Sequence, residues 1–363
     1  MRMQAAILGL VLLTLGAGSA RAEFTLRGFA DLEATAHHDR GPTASRFGLG
    51  QLDFFVAGRV SQSITFLNEN VLEFDEAAGD FVYDLERLQA KYRHRDWLSI
   101  GIGKVHTPLG YWNTEFHHGK VFHTTIERPN VFRFEDEGGP LPIHNTGIFF
   151  EGSHLGAWHF SYDVLVANGI GGTPVGDNNP QKSVTLRLGM QPVPAVRLGV
   201  SGYFDHIAAG TGRVVQLLEE QSGVSQLATN PSEADETQRF VQGNIDQAIL
   251  NGFAVMGRGP VTVMGEYFRI MDRSGGDHNS DVGYAFASYS RGRATPYARY
   301  DFANYGAKDP YYTMPDVGDL ILGVRVDTAE LSAIKGEVRF LKSEQGGAEA
   351  TAQEFVIQYA FGF

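Results

Sequence analysis

The residues of this chain whose types suggest chemistry are its histidines, 12 in all, and a cluster of acids in one aperiodic stretch. His106, His117, His118, His123 and His144 fall within HTPLGYWNTEFHHGKVFHTTIERPNVFRFEDEGGPLPIHN, residues 106–145. Neutral imidazole is the commonest ligand for transition metals. No H-E-x-x-H or comparable ligand spacing is present, however, and neighbouring side chains of an extended segment point apart. The histidines therefore read as polar loop residues whose titration between about pH 5 and 8 would alter local charge, and no metal or other cofactor is expected.

Nucleophilic chemistry finds as little support. Cysteine is absent and no G-x-S-x-G occurs, and the spacing around Ser45, Ser61 and Ser99 supplies no activating His or Asp. Gly169-Ile170-Gly171-Gly172 leads into no G-K-[ST], so it is no phosphate cradle. No catalytic residue, and no enzyme, is expected. What remains is the stretch itself: the acids Glu127, Glu135, Asp136 and Glu137, the aromatics Tyr111, Trp112, Phe116 and Phe122, and prolines at Pro108, Pro129 and Pro140. A segment of about 40 residues without secondary-structure periodicity is uncommon in a compact domain unless it has a function.

The rest of the chain must position that segment. Its first residues, MRMQAAILGLVLLTLGAGSARA, join a basic Arg2 to a short apolar run and an Ala20-Arg21-Ala22 site. This pattern predicts a secretory signal peptide over 1–22, too short to span a bilayer. Loss of Arg2 and Arg21 leaves 28 bases against 42 acids, a formal charge of −14. Such an acidic surface argues against a nucleic-acid partner. High glycine (44 residues), 12% aromatics and no cysteine in an exported chain suggest β-structure closed by hydrogen bonding rather than disulfides.

The alternation is clearest at the C-terminus, QEFVIQYAFGF. Phe355, Ile357, Tyr359, Phe361 and Phe363 share one face, while Glu354, Val356, Gln358, Ala360 and Gly362 share the other. The same dyad recurs upstream. Leu88, Ala90 and Tyr92 oppose Arg87, Gln89, Lys91 and Arg93, and Val184, Leu186 and Leu188 oppose Thr185 and Arg187. Val196, Leu198 and Val200 oppose Arg197 and Ser201, and Leu320, Leu322 and Val324 oppose Arg325. A soluble sandwich hides its apolar face, whereas a barrel in lipid shows the apolar face to the bilayer and the charged face to water.

Sixteen such segments are predicted, at 23–34, 46–59, 62–74, 81–93, 96–104, 145–152, 156–168, 183–191, 195–206, 247–257, 260–271, 281–290, 293–302, 318–328, 331–341 and 353–363. Counts of 14 or 18 remain compatible with the weaker alternation of 62–74 and 260–271. Short gaps such as His94-Arg95 and Arg291-Gly292 alternate with long ones: 35–45, 75–80, 105–144, 169–182, 207–246, 272–280, 303–317 and 342–352. Tight turns at one end, long loops at the other and both termini on the turn side describe an all-β, transmembrane antiparallel β-barrel over 23–363. At about 16 strands the lumen is too wide for side chains to fill. The long external loop at 207–246 contains GRVVQLLEEQSG, whose Val214, Leu217 and Leu218 predict a short helix.

With its signal, 16 amphipathic segments, terminal Phe363 and overlong third loop, the chain resembles a Gram-negative outer-membrane porin. The resemblance implies that the 105–144 loop folds into the lumen and constricts it. It further implies that loop acids (Glu127, Glu135, Asp136, Glu137) face basic wall residues. Candidates at lumen parity are Arg87, Lys91, Arg93, Arg187, Arg197, Arg299, Arg325, Lys335 and Arg339. A homotrimer in outer-membrane lipid, with Phe363 read by the barrel-assembly machinery, is implied as well. Lys104-Val105-His106-Thr107-Pro108-Leu109-Gly110 is loosely similar to a segment of phosphate-selective porins, although this chain is acidic where those are basic.

The expected function is passive diffusion of small hydrophilic solutes and ions. The alternatives are a substrate-selective channel for an anion or organic acid, with Tyr111, Trp112, Phe116 and Phe122 as solute contacts, and a plugged adhesive or structural barrel.

Overall fold

A computed structural model describes residues 23–38, 43–75, 80–116, 119–134, 138–221, 224–228, 240–306 and 308–363. The signal-peptide expectation for 1–22 lies outside them. Sixteen antiparallel strands form one closed barrel. In chain order the barrel strands are β1 (Glu23–His38), β2 (Ala44–Arg59), β3 (Ile64–Asp75), β4 (Asp80–Arg95), β5 (Leu98–His106), β6 (His144–Leu155), β7 (Phe160–Ala167) and β8 (Ser183–Val193). They continue as β9 (Val196–Ile207), β10 (Ile245–Arg258), β11 (Val261–Arg273), β12 (Asp277–Tyr289), β13 (Ala294–Asn304), β14 (Asp316–Ala329), β15 (Ser332–Gln345) and β16 (Ala348–Gly362).

Each strand pairs with its chain neighbours, and β1 closes the ring on β16 in a register running from Phe29↔Gly362 to His38↔Gln353. The last residue takes part in the closure: Phe363 and Gly28 exchange two backbone hydrogen bonds of 2.9 Å. Closure leaves no open edge, so each strand finds ladder partners on both sides.

The alternation read from the sequence is the alternation of the wall. Leu186, Leu188, Val200, Phe204, Leu320, Leu322, Phe355 and Ile357 are exposed on the outside. Thr185, Arg187, Ser201, Tyr203, Asp205, Ile321, Val356 and Gln358, one residue away, are buried inside. Several strands extend beyond their expected ends on the long-loop side, β12 starting at Asp277 and β15 ending at Gln345. There both faces are polar, so the dyad fades while backbone pairing continues. The β6–β7 turn lies at 156–159 rather than 153–155, with Gly156 at φ 67° and His159 at φ 47°. The left-handed backbone that a tight turn needs is supplied here, past the end of the apolar pattern.

The helix expected near Val214, Leu217 and Leu218 is not formed. Val214–Val215 pairs in parallel with Tyr312–Thr313, and Leu217–Gln221 makes a hairpin with Val224–Ala228. A valine pair and isolated apolar positions can satisfy either period over so short a run, and pairing with a neighbouring loop decides it.

Candidate pore constriction

The segment between β5 and β6 is turned into the barrel. Its two legs leave the wall side by side, with His106 paired to His144. Asn113 ties them together, its Nδ2 donating to the carbonyls of Thr107 (2.8 Å) and Ile143 (3.1 Å). Asn145 Nδ2 adds a bond to Thr107 Oγ1 at 3.2 Å. The loop then meets the wall. Gly110 N donates to Ser201 Oγ (3.0 Å), and the Tyr111 and Trp112 amides both donate to Glu266, each at 2.7 Å. Gly110 has φ 81°, and a Cβ there would lie 2.5 Å from Glu266 Oε2, so only glycine permits this approach. Glu266 thus serves the first amides of the one-turn helix Trp112–Glu115, which has no cap of its own.

Further along, wall carboxylates repeat the role. Ile126 N donates to Glu337 Oε1 (2.8 Å) and Asn130 N to Asp301 Oδ2 (3.2 Å), while Asn130 Nδ2 donates to Asp319 at 2.6 Å. Wall cations serve the loop carbonyls. Arg299 reaches Glu127 O, Arg325 reaches Val121 O and His123 O, and Lys335 reaches Lys120 O and Thr125 O. Four of the basic residues assigned to the wall from sequence therefore lie beneath or beside the loop: Arg299, Arg325, Lys335 and Arg339, the last paired with Glu337 and Glu354. Apolar packing completes the docking. Trp112, 2% exposed, sits against Phe116 and Tyr284, and Phe132 packs edge-on to Phe268.

Of the expected loop acids, only Glu127 is described; Glu135, Asp136 and Glu137, like His117 and His118, lie outside the described residues. Glu127 accepts from Lys120 at 3.0 Å, and Lys120 also lies 3.6 Å from Asp31 and 3.4 Å from Glu33 on β1. Burial alone would discharge this lysine, but the three carboxylates hold its pKa well above the ordinary value. Burial would likewise raise Glu127, yet Lys120, with Arg339 and Arg128, holds it well below the usual carboxylate range. His123 is buried against Trp112 and donates Nε2–H to Phe116 O. Burial, aided by the charges of Lys335 and Arg128, pushes its pKa well below 6.5.

Across from this docked face, the inward side of β3 to β9 is lined by charges in neighbouring pairs. Arg87 contacts Glu69, Lys91 lies 2.8 Å from Glu151, Arg187 3.1 Å from Asp163, and Arg197 3.8 Å from Glu115 of the loop. Arg197 also reaches Tyr111 Oη at 3.2 Å. The side chains of Arg197 and Glu115 are 48% and 42% exposed although both lie inside the ring, so they border water. Arg93 is at the turn end, paired with Asp96. Of the aromatics, Tyr111 and Trp112 are buried, Phe116 is half-buried, and Phe122 is 50% exposed and packs edge-on to Phe29.

The loop residues Glu115 and Lys120 and the wall acids Glu266, Asp301 and Glu337 were absent from the sequence expectation. Lumen parity, used there to select cations, selects Glu266, Asp301 and Glu337 equally well. No group of three or more His, Cys, Asp or Glu suited to a metal occurs among the described residues.

No protein-family model and no curated protein sequence matches this chain. Solved structures do. The outer membrane channel DcaP of Acinetobacter baumannii superposes with a TM-score of 0.63 at 9% identity, covering 96% of this chain and 100% of that one. The anion-selective porin from Comamonas acidovorans gives 0.62 at 14%, covering 94% and 100%. OmpT of Vibrio cholerae, in a trimer form, gives 0.60 at 13%, covering 94% and 99%. At such identities the likeness is one of architecture, and the chain carries the fold of the outer-membrane porins.

Proposed function

We propose that the chain is an outer-membrane pore through which small hydrophilic solutes and ions diffuse passively, past a constriction made by the 107–143 segment. The observation that carries this reading is the unequal lining of the lumen. The loop is bonded along one side of the wall, while charged side chains of the other side, Lys91, Glu151 and Arg197 among them, stay inside the ring and accessible to water. A side chain such as Arg197 retains its hydration only beside an aqueous path. The signal over 1–22 and the terminal Phe363 support export and insertion in the outer membrane of a Gram-negative bacterium. The trimer form of OmpT supports a homotrimer.

Selectivity in this reading is set at the rim by Glu115 and Glu127 of the loop and by Arg87, Lys91, Arg187 and Arg197 of the wall. The second reading, an anion channel, draws on the similarity to an anion-selective porin. The pairing of each of those four cations with a carboxylate favours weak discrimination instead. Single-channel recording in a planar bilayer under a KCl gradient tests both. Discrete conductance steps with a reversal potential close to zero are expected. A reversal potential near the chloride limit would establish the anion channel, and absence of steps from folded barrel would overturn the pore.

A further inference from the structure

The loop end of the wall holds a polar group that neither loop docking nor the lumen lining explains. Gln247, near the start of β10, is paired in register with Asp272, near the end of β11. Asp309, from the segment joining β13 to β14, comes to face Asp272, and the two carboxyl groups lie within hydrogen-bond reach of each other. Gln247, Asp272 and Asp309 are buried, at 3%, 0% and 4% exposure. Each carboxylate has one oxygen served. Gln247 Nε2 donates to Asp272 Oδ1 at 2.9 Å, and the Tyr311 and Tyr312 amides both donate to Asp309 Oδ1 at 2.8 Å. The other oxygens, Asp272 Oδ2 and Asp309 Oδ2, have no hydrogen-bond donor among the described residues, and Gln247 Oε1 has none either.

Such a set is costly as it stands. Two carboxylates facing each other repel, and burial removes the water that would screen them. Burial raises the pKa of Asp309 accordingly. Arg213 and His278 act on Asp309 through space. Neither forms an ion pair with it among the described residues, and Arg213 is turned to Thr313 Oγ1. The pair therefore needs a positive partner. A shared proton would join the two carboxyl groups, yet it leaves one negative charge buried and gives Gln247 Oε1 no partner. We propose that Asp272, Asp309 and Gln247 form a binding site for a hard divalent cation, of which calcium is the best fit.

The donor set decides the class of ion. Oxygen is the only donor element, from two carboxylates and an amide carbonyl, which suits calcium or magnesium rather than zinc or copper. Two negative charges balance a doubly charged ion. Calcium tolerates irregular coordination and sheds water more readily than magnesium, so it is the better fit to a buried site with little room for solvent. The position gives the ion a task. Asp309 holds the amides of Tyr311 and Tyr312, and Tyr312 Oη donates to Pro140 O of the constriction segment at 2.7 Å. Tyr312–Thr313 also pairs with Val214–Val215. A cation at Asp309 thus fastens three long segments to the wall at one point.

Binding does not require conduction, so the two readings fail separately. Calcium is titrated calorimetrically into the folded barrel in detergent, after removal of metal with a chelator. One saturable site per chain is expected, lost in Asp309→Asn and in Asp272→Asn. Asparagine keeps an oxygen for the Tyr311 and Tyr312 amides, so Asp309→Asn preserves the backbone around it. Glu349→Gln, which removes an exposed acid paired with Lys342, should bind as wild type does. Absence of saturable binding to wild type would overturn the proposal, as would equal binding by Asp309→Asn and wild type. Trypsin cleavage after Lys308, exposed beside the site, reads the same event in the unaltered chain. Calcium at about 100 times its dissociation constant should slow that cleavage up to about 100-fold in wild type, and should leave Asp309→Asn unaffected. Protection that grows with acidity and ignores calcium would assign the pair to a shared proton and reject the cation. Loss of single-channel steps with calcium binding intact would instead strike the pore reading alone.

Discussion

Two halves of one barrel wall make different use of the same alternation. From β9 to β15 the inward positions include Tyr203, Ile249, Phe268, Tyr284, Tyr297 and Ile321, all buried, with Glu266, Asp301 and Glu337 set among them. From β3 to β8 they hold Glu69, Arg87, Lys91, Glu151, Asp163 and Arg187. The outer faces of both halves are largely apolar. The difference lies only in which inward residues alternate with them. One half is an apolar bed with carboxylates and cations spaced to receive a loop's amides and carbonyls, and the other is a lining of ion pairs, buried at Glu69 and Arg187 and open to water at Lys91 and Glu151. The lumen is therefore narrowed by attachment to one side.

The largest effect expected follows from removing the bed's central contact. Trp112 is 2% exposed and touches Phe116, His123 and Tyr284. Trp112→Ala should weaken loop docking by about 3–5 kcal/mol. The barrel ladder is untouched, so the thermal unfolding of the barrel should move little. Protease cleavage within 107–143 and the open-channel noise should both rise. Unchanged noise with a lower melting temperature would mean that the loop and wall form one cooperative unit, and the contrast between the halves would lose its meaning.

Polar attachment comes next. Lys335 is fully buried, and its ammonium serves the carbonyls of Lys120 and Thr125 and the side chain of Gln358. Lys335→Met keeps the length and removes the donors, leaving buried carbonyls at a cost of about 1–3 kcal/mol each. The same readouts as for Trp112→Ala should move in the same direction by less. A large change in ion selectivity with quiet current would show instead that Lys335 acts on passing ions, contrary to its place beneath the loop.

These two residues also show how far the sequence can be read. The strands were legible because a barrel in lipid imposes a two-residue period on its outer face, and β8, β9, β14 and β16 obey it at Leu186, Val200, Leu322 and Ile357. Parity alone placed Lys335, Arg299 and Arg325 inside, but their task depends on which loop atoms arrive there. That is a tertiary matter: Lys335 and Thr125 are joined across 210 residues. Trp112 illustrates the same limit. An aromatic in an aperiodic loop suits a solute contact or a docking anchor equally well, and only Glu266 beneath its amide decides for docking.

Acidity offers a graded way to loosen the covered half. His123 is docked neutral with its pKa pushed well below 6.5, whereas a released loop would titrate it near 6.5. Above that value both states are neutral and docking is unaffected. Below it the released loop takes up a proton that the docked loop refuses, so docking weakens by at most about 1.4 kcal/mol per pH unit. Glu127 has the opposite character: its depressed pKa stabilises docking above about 4.5, a contribution still fully present at pH 5.5. Open-channel noise should therefore increase from pH 7.5 to 5.5. His123→Gln, which keeps a donor for Phe116 O but does not titrate, should lose that increment. An increment equal to wild type would assign the response to other histidines.

The smallest effect on stability, and the sharpest on conduction, is expected in the open half. Arg197 and Glu115 form a loose, water-exposed pair at 3.8 Å, and such pairs contribute about 0.2–1 kcal/mol. Arg197→Gln should thus leave melting and noise near wild type while removing one positive charge from the lining. An ion passing within about 4 Å of a unit charge in water feels about 1 kcal/mol, enough to shift a permeability ratio up to about fivefold. The reversal potential should move toward cations in Arg197→Gln, toward anions in Glu115→Gln, and back close to the starting value in the double variant. That cancellation is the mark of a lining whose charges act as pairs beside water. If Arg197→Gln instead raised the noise as Lys335→Met does, the pair would be one more attachment of the loop, and the division of the wall into a bed and a lining would fail at the residue where the two halves meet.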